Sequence, residues 1–114
     1  MNAITLIGRL GKEPELRLTP SGVSVIRFSL AVDRPSKEKE TDWFDCEAWR
    51  QNAEFAAGYA HKGRRVAVQG RMENHRWEDQ EGKRRDGWKL VVDRLEVLEK
   101  QESGMPEEVK ALPF

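Results

Sequence analysis

The chain has 114 residues, which is enough for one compact domain and too few for two domains with separate cores. Its 20 basic and 20 acidic residues give a formal net charge of zero, and this excludes a polycation that coats any anion by bulk attraction. No apolar run approaches the length that crosses a bilayer, so we expect neither a transmembrane segment nor a membrane partner.

The N-terminal third of the chain predicts two strands. The first spans residues 4–18 and is interrupted by Gly8 and Gly11, a pattern typical of a strand that bends sharply at a barrel corner. Residues 19–22 contain proline and glycine in turn-favouring places. Residues 23–32 alternate between apolar and polar side chains, which predicts a half-buried second strand.

A polar loop and a third strand follow. Residues 33–41 contain no apolar side chain and predict a solvated loop. Residues 42–49 alternate again, and we place one face of this strand in the core, namely Phe44, Cys46 and Ala48. The opposite face, which we expect to meet solvent, carries Trp43, Asp45, Glu47 and Trp49.

The next segment predicts a short helix. Asn52 is expected to cap it, and the helix is expected to stop near Lys62 and Gly63. Phe55 and Tyr59 are four residues apart, so they share one face of the helix.

Two further strands complete the pattern. Residues 66–77 predict a fourth strand, one face of which carries Gln69, Arg71, Glu73, His75 and Trp77. A polar turn at 79–83 leads to a last strand at 88–98.

Three strands, one short helix and two strands is the order of the oligonucleotide-binding (OB) fold. We therefore predict an all-β domain: a five-stranded Greek-key barrel, with the helix between strands 3 and 4. A sandwich of short strands is the structural alternative, in which the helix is an incidental crossover. We assign residues 1–98 to the barrel and residues 99–114 to a short flexible tail.

Tryptophan is the residue type that points most directly to function. Trp43 and Trp49 fall on the polar face of the third strand, where large rings cost solvation unless a ligand or a partner chain covers them. Bases of a single strand can cover them, because stacking on an aromatic ring contributes roughly 1–3 kcal/mol per base and tolerates any sequence. Alternatively, a subunit interface or a folded loop covers these two rings.

The fourth strand adds a second group of candidate contacts. Trp77 follows Arg71, His75 and Arg76 on a projecting hairpin, and a cation beside an aromatic ring suits a phosphate and its base. Trp88 either packs within the protein or contacts the nucleic acid. The candidate nucleic-acid contacts are therefore Arg9, Trp43, Trp49, Arg50, Lys62, Arg71, His75, Arg76, Trp77 and Trp88.

Catalytic, metal and cofactor chemistry find no support in the sequence. Asp45 and Glu47 have no histidine, serine or lysine placed for acid/base or nucleophilic work. His61 and His75 lack a third metal ligand. Cys46, the single cysteine, excludes an internal disulfide and fits a reduced cytoplasmic setting. We expect no cofactor, no metal and no enzymatic activity.

Several stretches of the chain together resemble the bacterial single-stranded DNA-binding protein (SSB) family. They are residues 4–17, 28–32, 41–44, 59–63 and 68–71, with Arg76 and Trp77. The resemblance implies an OB fold that binds single-stranded DNA in replication, recombination and repair, in the cytoplasm with the nucleoid. It also implies a homotetramer, and stacking aromatics at Trp43, Trp49 and Trp77.

The chain departs from the family pattern in its loop and its tail. The 33–41 loop lacks the aromatic residue that the family often has there, so one stacking contact is absent. Family members commonly end in several acidic residues followed by Pro-Phe. This chain ends in Pro113 and Phe114, but its acidic run is thin and interrupted by Lys110. The resemblance also implies that replication and repair proteins dock on this tail.

Two other functions remain open on the residues alone. One is a primosomal-type OB barrel that acts as a dimer and mainly bridges proteins. The other is an RNA-binding barrel of the cold-shock type, which aromatic strands also permit. The positions of Trp43 and Trp49 favour the binding of single-stranded DNA over both.

Overall fold

The computed structural model describes residues 1–38 and 40–98, which form six strands and one helix. The elements are β1 (Ile4–Leu10), β2 (Glu15–Leu18), β3 (Ser24–Asp33), β4 (Thr41–Trp49), α1 (Gln51–Tyr59), β5 (Arg65–Glu78) and β6 (Arg84–Val97). The helix is too short and too polar to span a bilayer.

Five of the strands close into a ring, which confirms the predicted barrel. The sheet order is β1-β5-β6-β4-β3-β2, and β1 also pairs with β3 where Arg9 lies opposite Ala31. All pairings are antiparallel except the short one between β4 and β6. The predicted first strand is two strands, because residues 11–14 lie outside both of them and β2 then pairs with residues 24–27 of β3.

Glycines permit two close backbone crossings in the ring. A side-chain carbon at Gly8 would overlap the carbonyl oxygen of Ala31, and one at Gly70 would overlap that of Val91. The β5–β6 register shifts between Gln69 and Gly70, so the second crossing coincides with a β-bulge. The extra residue is Asp93, so the bulge lies in β6 and bends that strand where the barrel continues into the hairpin.

The core consists of inward-facing side chains from the ring and two alanines of the helix. Its largest fully buried members are Ile26, Leu30, Val66, Val68 and Leu90. Cys46 and Ala48 are buried as predicted, whereas Phe44 is only partly buried against the core. Glu47, which we expected in solvent, is 3% exposed, and this expectation is wrong.

The helix begins and ends differently from the prediction. It starts at Gln51 after Arg50, which has a φ of 58° and gives no side-chain cap. Asn52 does not cap; its amide donates to the carbonyls of Val92 and Asp93 and ties the helix to β6. The helix ends at Tyr59, before the expected stop at Lys62 and Gly63.

The β5–β6 hairpin is longer than the sequence pattern predicted, since β6 begins at Arg84 and not at Trp88. The turn explains the difference. Asp79 accepts hydrogen bonds from the backbone of Glu81 and Lys83 and from the Arg85 side chain, and Gly82 has a φ of 77°. These contacts lower the pKa of Asp79, chiefly through the Lys83 backbone bond. The closed turn keeps the strands paired out to the tip.

Candidate nucleic-acid interface

Residues directly opposite one another across a ladder project to the same side of a sheet. Alternate residues of β3 to β6 therefore form one continuous side, which we call the front face. β3 and β4 contribute Val25, Arg27, Ser29, Ala31, Trp43, Asp45, Glu47 and Trp49. β5 and β6 contribute Arg71, Glu73, His75, Trp77, Arg85, Gly87, Lys89 and Val91. The parallel pairing of Glu47 with Val91 joins the two halves.

The three tryptophans predicted to stack on bases all lie on the front face. Trp43, Trp49 and Trp77 are 62%, 37% and 45% exposed. Trp43 and Trp49 stand toward opposite ends of β4, and Trp77 stands near the tip of β5. The face thus presents three separated aromatic surfaces to solvent, and such surfaces can each receive one planar ring.

Two of these rings rest on glycines. A side-chain carbon at Gly11 would lie 2.5 Å from Cζ3 of Trp43, so the indole packs directly over the glycine. A side-chain carbon at Gly87 would lie 3.4 Å from Cζ3 of Trp77. His75 stacks on Trp77 with ring centroids 4.7 Å apart and planes 16° apart. One side of each indole is therefore already packed against the protein before any ligand arrives.

A groove of about 550 Å³ lies on the front face beside Trp77. Its lining combines aromatic, cationic and hydrogen-bonding side chains, namely Lys12, Arg27, Phe28, Ser29, Asp45, Glu47, His75, Trp77 and Lys89. A planar base can stack on the aromatic wall while its phosphate meets a lysine or arginine. This chemistry matches that of grooves that track a single nucleic-acid strand.

Glu47 is a functional candidate that sequence reasoning missed. Its Oε1 accepts a hydrogen bond from Nε1 of Trp49 at 2.8 Å and from Nζ of Lys89 at 3.1 Å, while Oε2 accepts one from Nε of Arg27 at 3.2 Å. Burial acts to raise the pKa of Glu47, but these hydrogen bonds and the charges of Lys89 and Arg27 outweigh it and lower the pKa. The available signal was Trp49 two residues away, whose indole N–H needs an acceptor.

The basic candidates near β1 lie at one edge of the front face. Arg9 is opposite Ala31, so it projects to the same side as Trp43, and its Nη1 donates to the carbonyl of Gly63. Lys62 is exposed next to Gly63, and its backbone N–H donates to Glu13. The structure therefore brings Arg9 and Lys62 together at this edge.

Arg50 and Arg71 have different surroundings. Arg50 is exposed directly after Trp49, at the start of the helix. Arg71 lies on the front face but forms ion pairs with Glu73 at 2.9 Å and with Asp93 at 3.3 Å. A phosphate must compete with two carboxylates for Arg71.

Arg76 and Trp88 lie on the opposite side of the hairpin from Trp77. Arg76 is opposite Asp86 and Trp88 is opposite Asn74, on the side that carries core residue Leu90 farther along β6. We call this side the back of the hairpin. Trp88 is 60% exposed there, so the structure does not bring it together with the three front-face tryptophans.

Two remaining residues bear on other chemistry. His61 forms a 2.7 Å contact with Glu13, and this hydrogen bond is the main cause of the lowered pKa of Glu13. Burial, with a smaller effect of Asp45, raises the pKa of the Cys46 thiol to about 12, so the thiol stays protonated at neutral pH. Within residues 1–38 and 40–98 no group of three His, Cys, Asp or Glu side chains could hold a metal ion.

Comparison with known proteins gives consistent matches. Residues 1–98 match the model of the Single-strand binding protein family. The chain is 42% identical to "Single-stranded DNA-binding protein 3" of Listeria innocua, covering 91% of this chain and 68% of that one. It is 40% identical to "Single-stranded DNA-binding protein" of Bacillus cereus, covering 91% of this chain and 64% of that one. The chain thus spans about two thirds of the length of these relatives.

Two further matches cover nearly the whole of the other protein. "Single-stranded DNA-binding protein" of Thermosynechococcus vestitus is 37% identical, covering 97% of this chain and 93% of that one. Among solved structures, "Plasmodium falciparum SSB complex with ssDNA" superposes with a TM-score of 0.79 at 29% identity, covering 87% of this chain and 96% of the other.

Proposed function

Because the chain belongs to the Single-strand binding protein family, we propose that it binds single-stranded DNA without base specificity and without acting on it chemically. The relatives named above are single-stranded DNA-binding proteins, and the superposed structure is a complex with single-stranded DNA. In this proposal Trp43, Trp49 and Trp77 stack on bases, and neighbouring cations contact the phosphates. Protection of single strands in replication, recombination and repair is the proposed cellular role.

The observation that carries the proposal is the common face of three exposed tryptophans. Scattered exposed rings need no explanation, but three on one continuous face, two of them packed over glycines, form a prepared surface. Stacking contributes roughly 1–3 kcal/mol per base and reads a π-face that every base has. Binding is therefore expected to be tight for any sequence.

Titration of intrinsic tryptophan fluorescence tests the proposal. We expect oligo(dT) to quench the emission, and we expect duplex DNA of equal length to have much less effect, because paired bases cannot reach the rings. Oligo(U) in parallel tests the cold-shock alternative. Emission that oligo(dT) leaves unchanged at saturation would contradict stacking.

We extend the proposal to a homotetramer. A small barrel buries little apolar surface on its own, and exposed apolar side chains remain outside the front face, including Ile7 at 46% and Trp88 at 60%. Sedimentation velocity at micromolar concentration is expected to give a tetramer. A stable dimer would favour the primosomal-type alternative, and a stable monomer would contradict self-association.

Residues 99–114, which we propose as a tail outside the barrel domain 1–98, lie outside the described residues. We propose that their last two residues, Pro113 and Phe114, dock replication and repair proteins. Pull-down with the full chain and with a variant lacking both residues tests this. We also propose a cytoplasmic location with the nucleoid, which fluorescence microscopy can test.

A further inference from the structure

Glu47 is an ionised group in an unusual place for a surface that meets a polyanion. Its side chain is 4% exposed, yet it belongs to the front face, between Arg27 on β3 and Lys89 on β6. A buried carboxylate is costly unless it is paired and hydrogen-bonded, and here both oxygens are occupied by three donors. None of the stacking or phosphate roles assigned above requires it.

The first consequence concerns Trp49. The bond from Nε1 to Glu47 fixes one edge of the indole, and so limits rotation of the ring about its side-chain bonds. A ring that is already oriented loses less conformational freedom when a base stacks on it. Trp49 is also the least exposed of the three front-face tryptophans, in keeping with a ring that is held at its edge.

The second consequence concerns charge. Arg27 and Lys89 both donate to the one carboxylate, so this cluster has a net charge of +1 instead of +2. The Arg27 side chain is 80% exposed and the Lys89 side chain is 24% exposed, so both remain within reach of a phosphate. A phosphate that contacts either cation must compete with Glu47, which reduces the gain from releasing counterions.

We propose that Glu47 is a positioning residue and an internal counter-ion of the single-stranded DNA interface: it orients Trp49 for stacking and weakens the hold of Arg27 and Lys89 on phosphate. The inference rests on the proposed function. It means that binding at this part of the face depends more on stacking and less on salt than the number of cations suggests.

Two substitutions separate the two roles. Glu47→Gln keeps an amide oxygen that can accept from the indole of Trp49 but removes the negative charge. Glu47→Ala removes both. Asp45→Asn is the matched control, because it removes one negative charge from the same face, and the Asp45 side chain makes no hydrogen bond or ion pair within residues 1–38 and 40–98.

The first readout is the Nε1–H signal of Trp49 in a ¹⁵N–¹H NMR spectrum, identified by its loss in Trp49→Phe. We expect slow exchange with water in the wild type, in Glu47→Gln and in Asp45→Asn, and fast exchange in Glu47→Ala. Thermal unfolding of each variant shows whether the barrel is intact. Slow exchange in an intact Glu47→Ala variant would overturn the positioning role, and fast exchange in Glu47→Gln would do the same.

The second readout is affinity for oligo(dT) at several salt concentrations. Both Glu47 variants are expected to show a steeper salt dependence, by up to about 0.7 in the slope of log K against log salt for each additional phosphate that Arg27 or Lys89 neutralises. Asp45→Asn is expected to change the slope less. Glu47→Ala should also lose about two- to tenfold in affinity relative to Glu47→Gln, because Trp49 is no longer oriented.

The outcomes distinguish the inference from the proposed function. A wild-type protein that fails to bind oligo(dT) refutes the function. A wild type that binds, with Glu47→Gln showing an unchanged or shallower salt slope, refutes only the counter-ion role of Glu47. Equal affinities of the two Glu47 variants refute only its positioning of Trp49.

Discussion

At the scale of single residues, each front-face tryptophan depends on one particular neighbour. Gly11 leaves room for Trp43, Glu47 holds the edge of Trp49, and His75 stacks on Trp77. An exposed indole on a strand would otherwise sample several orientations. The identity of the neighbour therefore matters as much as that of the ring, and it can be changed without removing the ring.

Gly11→Ala tests this dependence for Trp43. The added methyl group would lie 2.5 Å from Cζ3, and the ring, being 62% exposed, can shift away without disturbing the barrel. We expect weaker binding of oligo(dT) with little change in melting temperature. Gly58→Ala is the matched control, because a side-chain carbon there meets nothing within 4 Å. Equal affinities of the two variants would show that the position of Trp43 is unimportant.

Stacking and phosphate contacts should respond differently to salt. Trp49→Ala is expected to cost about 1–3 kcal/mol of binding free energy at every salt concentration, because no ion pair is lost. Lys12→Ala should instead flatten the salt slope by up to about 0.7, because Lys12 lines the groove with no ion pair in the described part of the chain. Arg71→Ala should flatten it less, since Arg71 is already paired with Glu73 and Asp93. Measuring the affinity of each variant for oligo(dT) at several salt concentrations separates the two kinds of contact. A changed salt slope for Trp49→Ala would contradict the assignment of Trp49 to stacking.

At the scale of elements, the β5–β6 hairpin is a ribbon with two chemically distinct sides. Trp77 and His75 occupy its front, and Trp88, Arg76 and Asn74 occupy its back. Strand alternation forces this separation, because residues an odd number of positions apart along one strand project to opposite sides. Trp88 lies opposite Asn74, which is three positions from Trp77 on β5. The two tryptophans therefore have different roles in the proposal.

Paired alanine variants test this division. Trp77→Ala should lower affinity for oligo(dT) by about 1–3 kcal/mol and leave the oligomeric state unchanged. Trp88→Ala should shift the subunit equilibrium toward smaller species and should affect DNA binding less when compared at concentrations where both variants are assembled. Sedimentation and fluorescence titration of the same samples give both readouts. Loss of binding in fully assembled Trp88→Ala would place the DNA on the back as well.

The elements were largely predictable from sequence, and the contacts between them were not. Two-residue periodicity and the turn residues are local signals, so the order of strands and helix was predicted, as was the Phe55–Tyr59 pair, whose ring centroids are 4.9 Å apart. The burial of Glu47 and the bonds of Asn52 to β6 depend on which strands become neighbours. The β-bulge at Asp93, opposite Gly70, is likewise a product of pairing. No spacing within one segment encodes these contacts.

At the scale of the whole molecule, several carboxylates stabilise the fold in their charged form. Hydrogen bonds that Arg34 donates to Asp42 lower the pKa of Asp42, and the pKa values of Glu13, Glu47 and Asp79 are lowered as described above. A carboxyl group whose pKa is lower in the folded state stabilises the fold above its unfolded pKa and loses that contribution as pH falls through its folded pKa.

Acid should therefore destabilise the protein. We expect a nearly constant melting temperature between about pH 7 and pH 5, and a fall below about pH 4.5, where the unfolded chain begins to bind more protons than the folded one. Calorimetry across this pH range measures the melting temperature. Glu47→Gln should show a smaller fall in melting temperature than the wild type. A melting temperature that rises on acidification would contradict the assignment of these carboxylates.

Removal of residues 99–114 tests the division of the chain. This segment has four acidic and two basic residues, so residues 1–98 carry a net charge of +2. Truncation after Leu98 is expected to leave affinity for oligo(dT) equal or slightly higher, because a segment with the same sign of charge as the phosphates is removed. A large loss of affinity in a truncated protein that melts like the full chain would mean that the segment belongs to the binding site.

The way the ring closes has a consequence for synthesis of the protein. β1 pairs with β5 from Arg9 opposite Arg65 to Ile4 opposite Gly70, positions 56 and 66 residues apart. At translation rates of roughly 5–20 residues per second, β1 is synthesised several seconds before β5. During that interval β1 can form at most its short pairing with β3, through Arg9 and Leu10. The nascent chain therefore carries an open strand edge until the hairpin emerges, and the ring can close only after β5 and β6 have both been synthesised.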